Sequence, residues 1–187
     1  MPTALAFSNG VLPPELDSQV QALLRAEWPA VFSADETRTT NGALTDRTLL
    51  VLIEGETVLS YLAIPSTHID LAGETYRASG LSAVITNPPF RHQGHGRRLV
   101  RKARDLIAAG DADIGIFTCA PSLVDFYLFS GWTPMPTTTV VGGTRESPFH
   151  LDSVRTLMGF FSQKARDHRA DFEHATVYLE IGEGEMW

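Results

Sequence analysis

Cysteine is nearly absent from this 187-residue chain, Cys119 being the single one. One thiol excludes an internal disulfide and any zinc site built from several cysteines. The six histidines show no metal-ligand spacing, so no metal is expected. Long apolar runs are lacking too: none approaches the roughly 20 residues that cross a bilayer, and no basic segment followed by an apolar one opens the chain. Neither membrane insertion nor secretion is indicated, and a cytoplasmic location is expected. There is no internal repeat, low-complexity tract or linker. With 43% apolar residues the chain suits one domain, residues 1–187, with a full core.

Excess positive charge is also missing. The formal net charge is −7, which disfavours general affinity for nucleic acid. The distribution says more than the total. Between Arg91 and Arg104 stand six basic residues and no acidic one, leaving nine basic residues against all 22 acidic ones elsewhere. A basic patch on an acidic body fits a phosphate-bearing ligand at the patch and a cationic acceptor steered by the body. For Arg101 and Arg104 the solvated face of a helix is an equal reading.

Pro13-Pro14-Glu15 opens a helical pattern that Pro29 stops after Trp28. A polar stretch from Ser33 to Asp46 reads as loop, with a turn at Asn41-Gly42. Arg47 to Glu54 and Thr57 to Ile69 read as an antiparallel hairpin, and Tyr76 to Thr86 as the third strand of a meander. After a glycine loop, Leu99, Val100, Ala103, Leu106 and Ile107 line one helical face ended by Gly110. Ile114 to Cys119 reads as a strand buried on both faces and parallel to the strand before the loop. Pro121 to Ser130 reads as a helix closed by Gly131, Thr137 to Val141 as a strand broken by Gly142-Gly143, Leu151 to His168 as helical, and Ala175 to Ile181 as a final strand.

The segment from Asn87 to Arg98 joins the third strand to the basic helix through Arg91-His92-Gln93-Gly94-His95-Gly96. Gly94 and Gly96 let the backbone adopt positive φ and approach a ligand, and the helix starting near Gly96 adds unpaired N–H groups and the positive end of its dipole. Taken alone, two glycines two residues apart also mark ordinary turns. A P-loop is excluded because Arg97, not Lys followed by Ser or Thr, succeeds Gly96. The dinucleotide fingerprint is excluded because Leu99 stands where its third glycine belongs.

The Arg-x-x-Gly-x-Gly spacing, its Pro88-Pro89-Phe90 lead-in and the order of elements resemble the Gcn5-related N-acetyltransferases (GNAT) over roughly Pro13 to Val141. The resemblance implies an α/β (α+β) fold with a mixed, mostly antiparallel central sheet flanked by helices, and two central parallel strands that splay apart. It also implies that acetyl-CoA is the co-substrate, with its pyrophosphate on Arg91, His92, Gln93, Gly94, His95, Gly96 and Arg97 and its pantetheine along Val84, Ile85 and Thr86. Tyr127, in Asp125-Phe126-Tyr127-Leu128-Phe129-Ser130-Gly131-Trp132, matches the family's proton donor to the departing thiolate; packing of the core is its other reading. The strand before the loop has no carboxylate where several family members carry a base. Ser82 is then the candidate to position a water, while Glu74, His68 and Asp70 read as surface residues and Cys119 as an inert core thiol.

The final Gly184-Glu185-Met186-Trp187 resembles the end of the aminoglycoside 2'-N-acetyltransferases, which implies that Glu185 and Trp187 meet the acceptor; Trp28 and Phe32, in the variable acceptor region, fit a small amine or a peptide alike. On this reading the tail serves acceptor selection and not folding; an uninformative disordered tail is the alternative. The function implied is transfer of acetyl from acetyl-CoA to a primary amine of a small cationic molecule, directly within a ternary complex. A CoA-binding regulatory module without catalysis and a peptide or protein N-terminal acetyltransferase stand as alternatives. A homodimer is left open.

Overall fold

A computed structural model describes residues 1–8, 10–32, 47–181 and 186–187. The stretch from Ser33 to Asp46, with its turn reading, lies outside the described residues. The elements are β1 (Thr3–Phe7), α1 (Pro14–Glu27), β2 (Arg47–Glu54), β3 (Thr57–Leu71), β4 (Glu74–Ser79), β5 (Ser82–Thr86), α2 (His95–Ala109), β6 (Ile114–Cys119), α3 (Val124–Leu128), β7 (Thr133–Pro134), β8 (Thr139–Gly143), β9 (Pro148–Phe149), β10 (Arg155–Phe160), α4 (Gln163–Asp167) and β11 (Thr176–Tyr178). Among the described residues no helix is long and apolar enough to cross a membrane.

An eight-stranded sheet runs β1-β2-β3-β4-β6-β10-β7, with β5 paired to β3 beside β4. Every pair in it is antiparallel except β4 with β6. A smaller sheet, β11-β8-β9, holds the parallel pair β8 and β11. Alternation along β2 explains how one strand serves two cores: Leu49 and Val51 face Val20 and Leu24 of α1, whereas Leu50 and Leu52 face Leu99, Val100 and Ala103 of α2. A third cluster, around Tyr76, Ile114, Ile116, Met158 and Phe172, fills the half of the sheet under β8 and β11.

Three expectations from sequence are corrected. The third meander strand is two strands separated at Gly80-Leu81: β4 pairs with β3 and, at its end, also with β6, whereas β5 pairs with β3 alone. The segment from Leu151 to His168 is not one helix: it holds the strand β10, and only the five residues of α4 are helical. Val154, Leu157, Met158 and Phe161 imitate helical spacing, but Leu157 and Met158 point into different cores on opposite faces of the sheet. Pro121 to Ser130 holds a 3₁₀ turn, Pro121–Leu123, and a helix of only five residues. The edge strand β1 had no alternating signal strong enough to be read.

Asp113, just before β6, ties the two halves of the sheet to α4. Its carboxylate accepts from Arg77 N at 2.9 Å and lies 3.6 Å from Lys164 Nζ. Its backbone carbonyl accepts from Phe161 N at 2.8 Å. Burial alone raises its pKa, but hydrogen bonds from Ser162 and Arg77 and the charge of Lys164 outweigh that and hold it below the usual carboxylate value. A lowered folded pKa stabilises the fold above the unfolded pKa, and that stabilisation is lost as pH falls through the folded one. Asp113→Ala should therefore cost about 1–3 kcal/mol near neutral pH, and the deficit should shrink in acid below about pH 4. Denaturant titrations of parent and variant at several pH values check both statements.

Candidate active site

The loop after β5 is built from the strand outward. Asn87 N donates to Leu59 O at 2.9 Å, and Asn87 Nδ2 donates to Val58 O at 2.9 Å, pinning the start of the loop to β3. A 3₁₀ turn at Pro88–Phe90 follows. Arg91 then braces the loop: Nε donates to Thr86 O at 3.1 Å, and Nη2 meets Glu27 Oε2 of α1 at 2.6 Å. Its guanidinium is a strut as well as a positive charge, which the sequence did not reveal.

His92 and Gly94 both have positive φ, 62° and 83°. Successive N–H groups thus turn toward one side, and α2 starts there with the orphan donors of its first turn. The two glycines have opposite reasons for being glycine. A Cβ on Gly94 would meet nothing within 4 Å, so open space lies before it, as a phosphate requires. A Cβ on Gly96 would stand 2.9 Å from Thr86 Oγ1 and 3.3 Å from Phe126 Cζ, so Gly96 is what lets α2 close on β5 and α3. The first turn of α2 carries no acidic residue, and Arg97 and Arg98 sit near the positive end of the dipole. That placement is unfavourable for a free helix and favourable once an anion lies between them.

A groove of about 610 Å³ leads from this loop along β5. It brings together Val84, Ile85, Thr86, Arg91, His92, Gly94, His95, Gly96, Arg97 and Trp28. Gln93 does not line it; its side-chain amide turns back to Pro89 O. Glu27, Phe90, Leu123 and Phe126 also line it, and no motif pointed to them.

At the inner end of the groove the β3–β5 register shifts. Tyr61 pairs with Ile85 and Ala63 with Ser82, so Ala83 and Val84 together oppose Leu62. This is a β-bulge, and Ala83 has φ 51°. The bulge takes backbone groups near Val84 out of the ladder and frees them for a ligand. A second pocket of about 370 Å³ begins at the same bulge, between α1 and the sheet, with Ser82, Ala83, Tyr61, Asp17, Arg25 and Arg47 in its walls. Burial pushes the Tyr61 phenol up to about 12, so it is a donor at neutral pH.

Tyr127 is buried behind Phe126, its ring 4.9 Å from both Phe117 and Phe126. Burial raises its pKa further than that of Tyr61, with neighbouring Cys119 a smaller contribution. Burial also raises the Cys119 thiol, which suits the inert reading. Glu74, His68 and Asp70 lie at the far β3–β4 hairpin, and Asp70 accepts from Thr75 Oγ1 there. Arg101 and Arg104 are not simply solvated: they donate to Phe129 O and Gly131 O at 3.3 and 2.9 Å and close the end of α3. Trp187 is buried, and its carbonyl oxygen accepts from Thr118 N at 2.8 Å and Thr118 Oγ1 at 3.0 Å. The expectation that the tail takes no part in folding is therefore corrected. Glu185 lies outside the described residues.

A family model described as an acetyltransferase (GNAT) domain matches residues 16–135. The chain belongs to that family. It is an N-acetyltransferase that uses acyl-CoA. No curated protein sequence matches it. Among solved structures, ElaA of Escherichia coli is 15% identical, with TM-score 0.59 over 84% of this chain and 99% of that one. The Escherichia coli GNAT family N-acetyltransferase YhbS, in complex with CoA, is 17% identical, with TM-score 0.55 over 95% and 89%. An aminoglycoside 6'-N-acetyltransferase complexed with coenzyme A is 12% identical, with TM-score 0.56 over 84% and 97%. At such identities these structures establish the shared fold, in which the mixed, mostly antiparallel sheet is flanked by helices.

The glycine geometry gives a direct test. Gly94→Asp should weaken CoA binding at least about tenfold by placing a carboxylate at the expected phosphate position, with a small drop in melting temperature, because the side chain meets open space but must adopt the positive φ of 83°. Gly96→Asp should lower both CoA affinity and melting temperature. Calorimetric titration with CoA and thermal melts separate the two patterns.

Proposed function

We propose that this chain transfers the acetyl group of acetyl-CoA to the primary amine of a small cationic molecule, with both substrates bound together. The observation that carries the reading is the meeting of two pockets at one β-bulge. CoA enters from the α2 side with its pyrophosphate on the loop at Arg91 to Arg97 and its pantetheine along Val84 to Thr86. The acceptor enters from the α1 side across Ser82 and Ala83. The amine nitrogen attacks the thioester carbonyl carbon, the C–S bond breaks, the amine gives up a proton, and the thiolate takes one. Backbone N–H groups at the bulge suit the developing oxyanion.

Tyr127 is the proposed donor to the thiolate. A phenol shifted upward is a weaker acid in isolation, but the burial that shifts it also raises the proton affinity of a thiolate beside it, so the transfer stays matched. Removing the hydroxyl and almost no volume, Tyr127→Phe should cut turnover by about 10- to 1,000-fold with CoA affinity nearly intact. An unchanged turnover would return the residue to the core.

The base is solvent on this reading. Glu27, the carboxylate lining the CoA groove among the described residues, is held by Arg91, and Ser82 at the bulge suits positioning of a water. The rate at subsaturating acceptor should then climb about tenfold per pH unit up to the pKa of the acceptor amine. A plateau reached between about pH 4 and 7 would instead reveal a carboxylate or imidazole base. The acidic body favours a cationic acceptor, and Asp17 puts an anion in the acceptor pocket beside Arg25 and Arg47. Thiol release from acetyl-CoA with a panel of small polyamines, amino acids and short peptides tests the acceptor class. Release with peptides alone would replace this reading by the peptide-acetylating one, and CoA binding without release on any amine would favour the regulatory module.

A further inference from the structure

Trp187 lies between β6 and the residue that follows β4. Pairing of β4 with β6 stops at Ser79 opposite Gly115, and Gly80 is the next residue. The indole lies directly on Gly80: a Cβ built there would fall 1.7 Å from Cε3 and 2.6 Å from Cζ3 of the ring. No other residue at position 80 leaves the ring where it is. Across the gap, Thr118 of β6 holds the Trp187 carbonyl oxygen through both N and Oγ1, at 2.8 and 3.0 Å. Trp187 therefore bridges the two strands at the point where they part. Its side chain is 4% exposed and belongs to the apolar cluster that contains Ile69, Tyr76 and Met135. Nε1 is buried with no hydrogen-bond partner among the described residues. A ring placed for hydrogen bonding would not leave its donor unmet in the interior, so the indole acts here through its shape.

We propose that Trp187 is the end wall of the acyl chamber and limits the donor to short acyl groups, acetyl above all. The inference rests on the reading of the β5 groove as the acyl-CoA site. A thioester that follows the groove from the loop at Arg91 to Arg97 reaches the bulge at Ala83 and Val84 and then faces the junction closed by the indole. An acetyl group stops short of the ring. Each further methylene must displace it from Gly80 and break into the cluster behind. With the indole removed, the same methylenes meet an apolar hole, where each is worth about 0.8 kcal/mol, or roughly fourfold in affinity.

The test needs no acceptor. Dissociation constants for CoA, acetyl-CoA, butyryl-CoA and hexanoyl-CoA are measured calorimetrically for the parent, Trp187→Ala and Trp187→Leu, with melting temperatures for each. In the parent, butyryl-CoA and hexanoyl-CoA should bind at least about tenfold more weakly than acetyl-CoA. Trp187→Ala should improve butyryl-CoA relative to acetyl-CoA by about tenfold or more, and Trp187→Leu should fall between. If Trp187→Ala does not fold, the Leu variant decides: an intermediate shift supports the wall and an unchanged profile overturns it. Equal binding of acetyl-CoA and hexanoyl-CoA by the parent also overturns it. Absence of CoA binding by the parent is a different failure, since it removes the groove reading itself.

Discussion

The site depends on one interruption of a hydrogen-bonded ladder. Between Ser79 and Ile85 the chain parts from β6 while keeping β3 as its neighbour, passes Gly80 and Leu81, and crosses a bulge that sets two residues against Leu62. A continuous strand here would pair with β6 along its whole length, and the sheet would have no opening. The break costs ladder bonds and places Ala83 at a positive φ that its side chain disfavours. In return, unpaired backbone is left at the centre of a rigid sheet. Cores on both faces, under α1 and under α2, hold the gap open where a loop of the same composition would close.

Rigidity around the gap comes from polar ties of high local density. Asn87 fixes the exit of β5 to β3, and Arg91 joins that exit to α1. Ser60 Oγ and Thr86 Oγ1 lie 2.7 Å apart beneath the place where Gly96 brings α2 close. Arg101 and Arg104 then fasten α2 to the end of α3, which sets Phe126 against the groove. Arg91 and Thr86, read from sequence as ligand contacts, also brace the backbone that surrounds the groove.

The sequence was most legible where one physical demand dominated. β2 and β6 match their expected bounds because each has a run of four consecutive residues buried on both faces. The glycine loop was legible because its φ requirement and its charge coincide in a few residues. Legibility failed where a long-range partner decided the outcome. Nothing local in Tyr76 to Thr86 distinguishes one strand from two, since the break follows from the parallel partner β6. Val154 to Phe161 carries helical spacing, yet β6 on one side and β7 on the other recruit the segment as a strand. Arg91 could be read as a phosphate ligand, but its partner Glu27 is 64 residues away in the chain. Trp187 could be suspected of reaching the site from its resemblance alone; that it sits on Gly80 and hangs from Thr118 required the fold.

The electrostatics of α2 carry the same logic into binding. A helix ordinarily gains from acidic residues in its first turn, and α2 has none there while Arg97 and Arg98 crowd the positive end of its dipole. The arrangement is self-repelling in the free protein. Part of the repulsion is relieved where Arg97 lies 4.5 Å above the ring of Phe129. The rest waits for an anion, whose charge both the orphan N–H groups and the guanidinium groups then share. With the proposed placement of CoA, binding energy would be concentrated on the phosphate end of the donor, far from the reacting carbonyl. On the function proposed above, such an anchor would hold CoA without holding the thioester more tightly than its transition state, leaving the bulge free to favour the developing oxyanion.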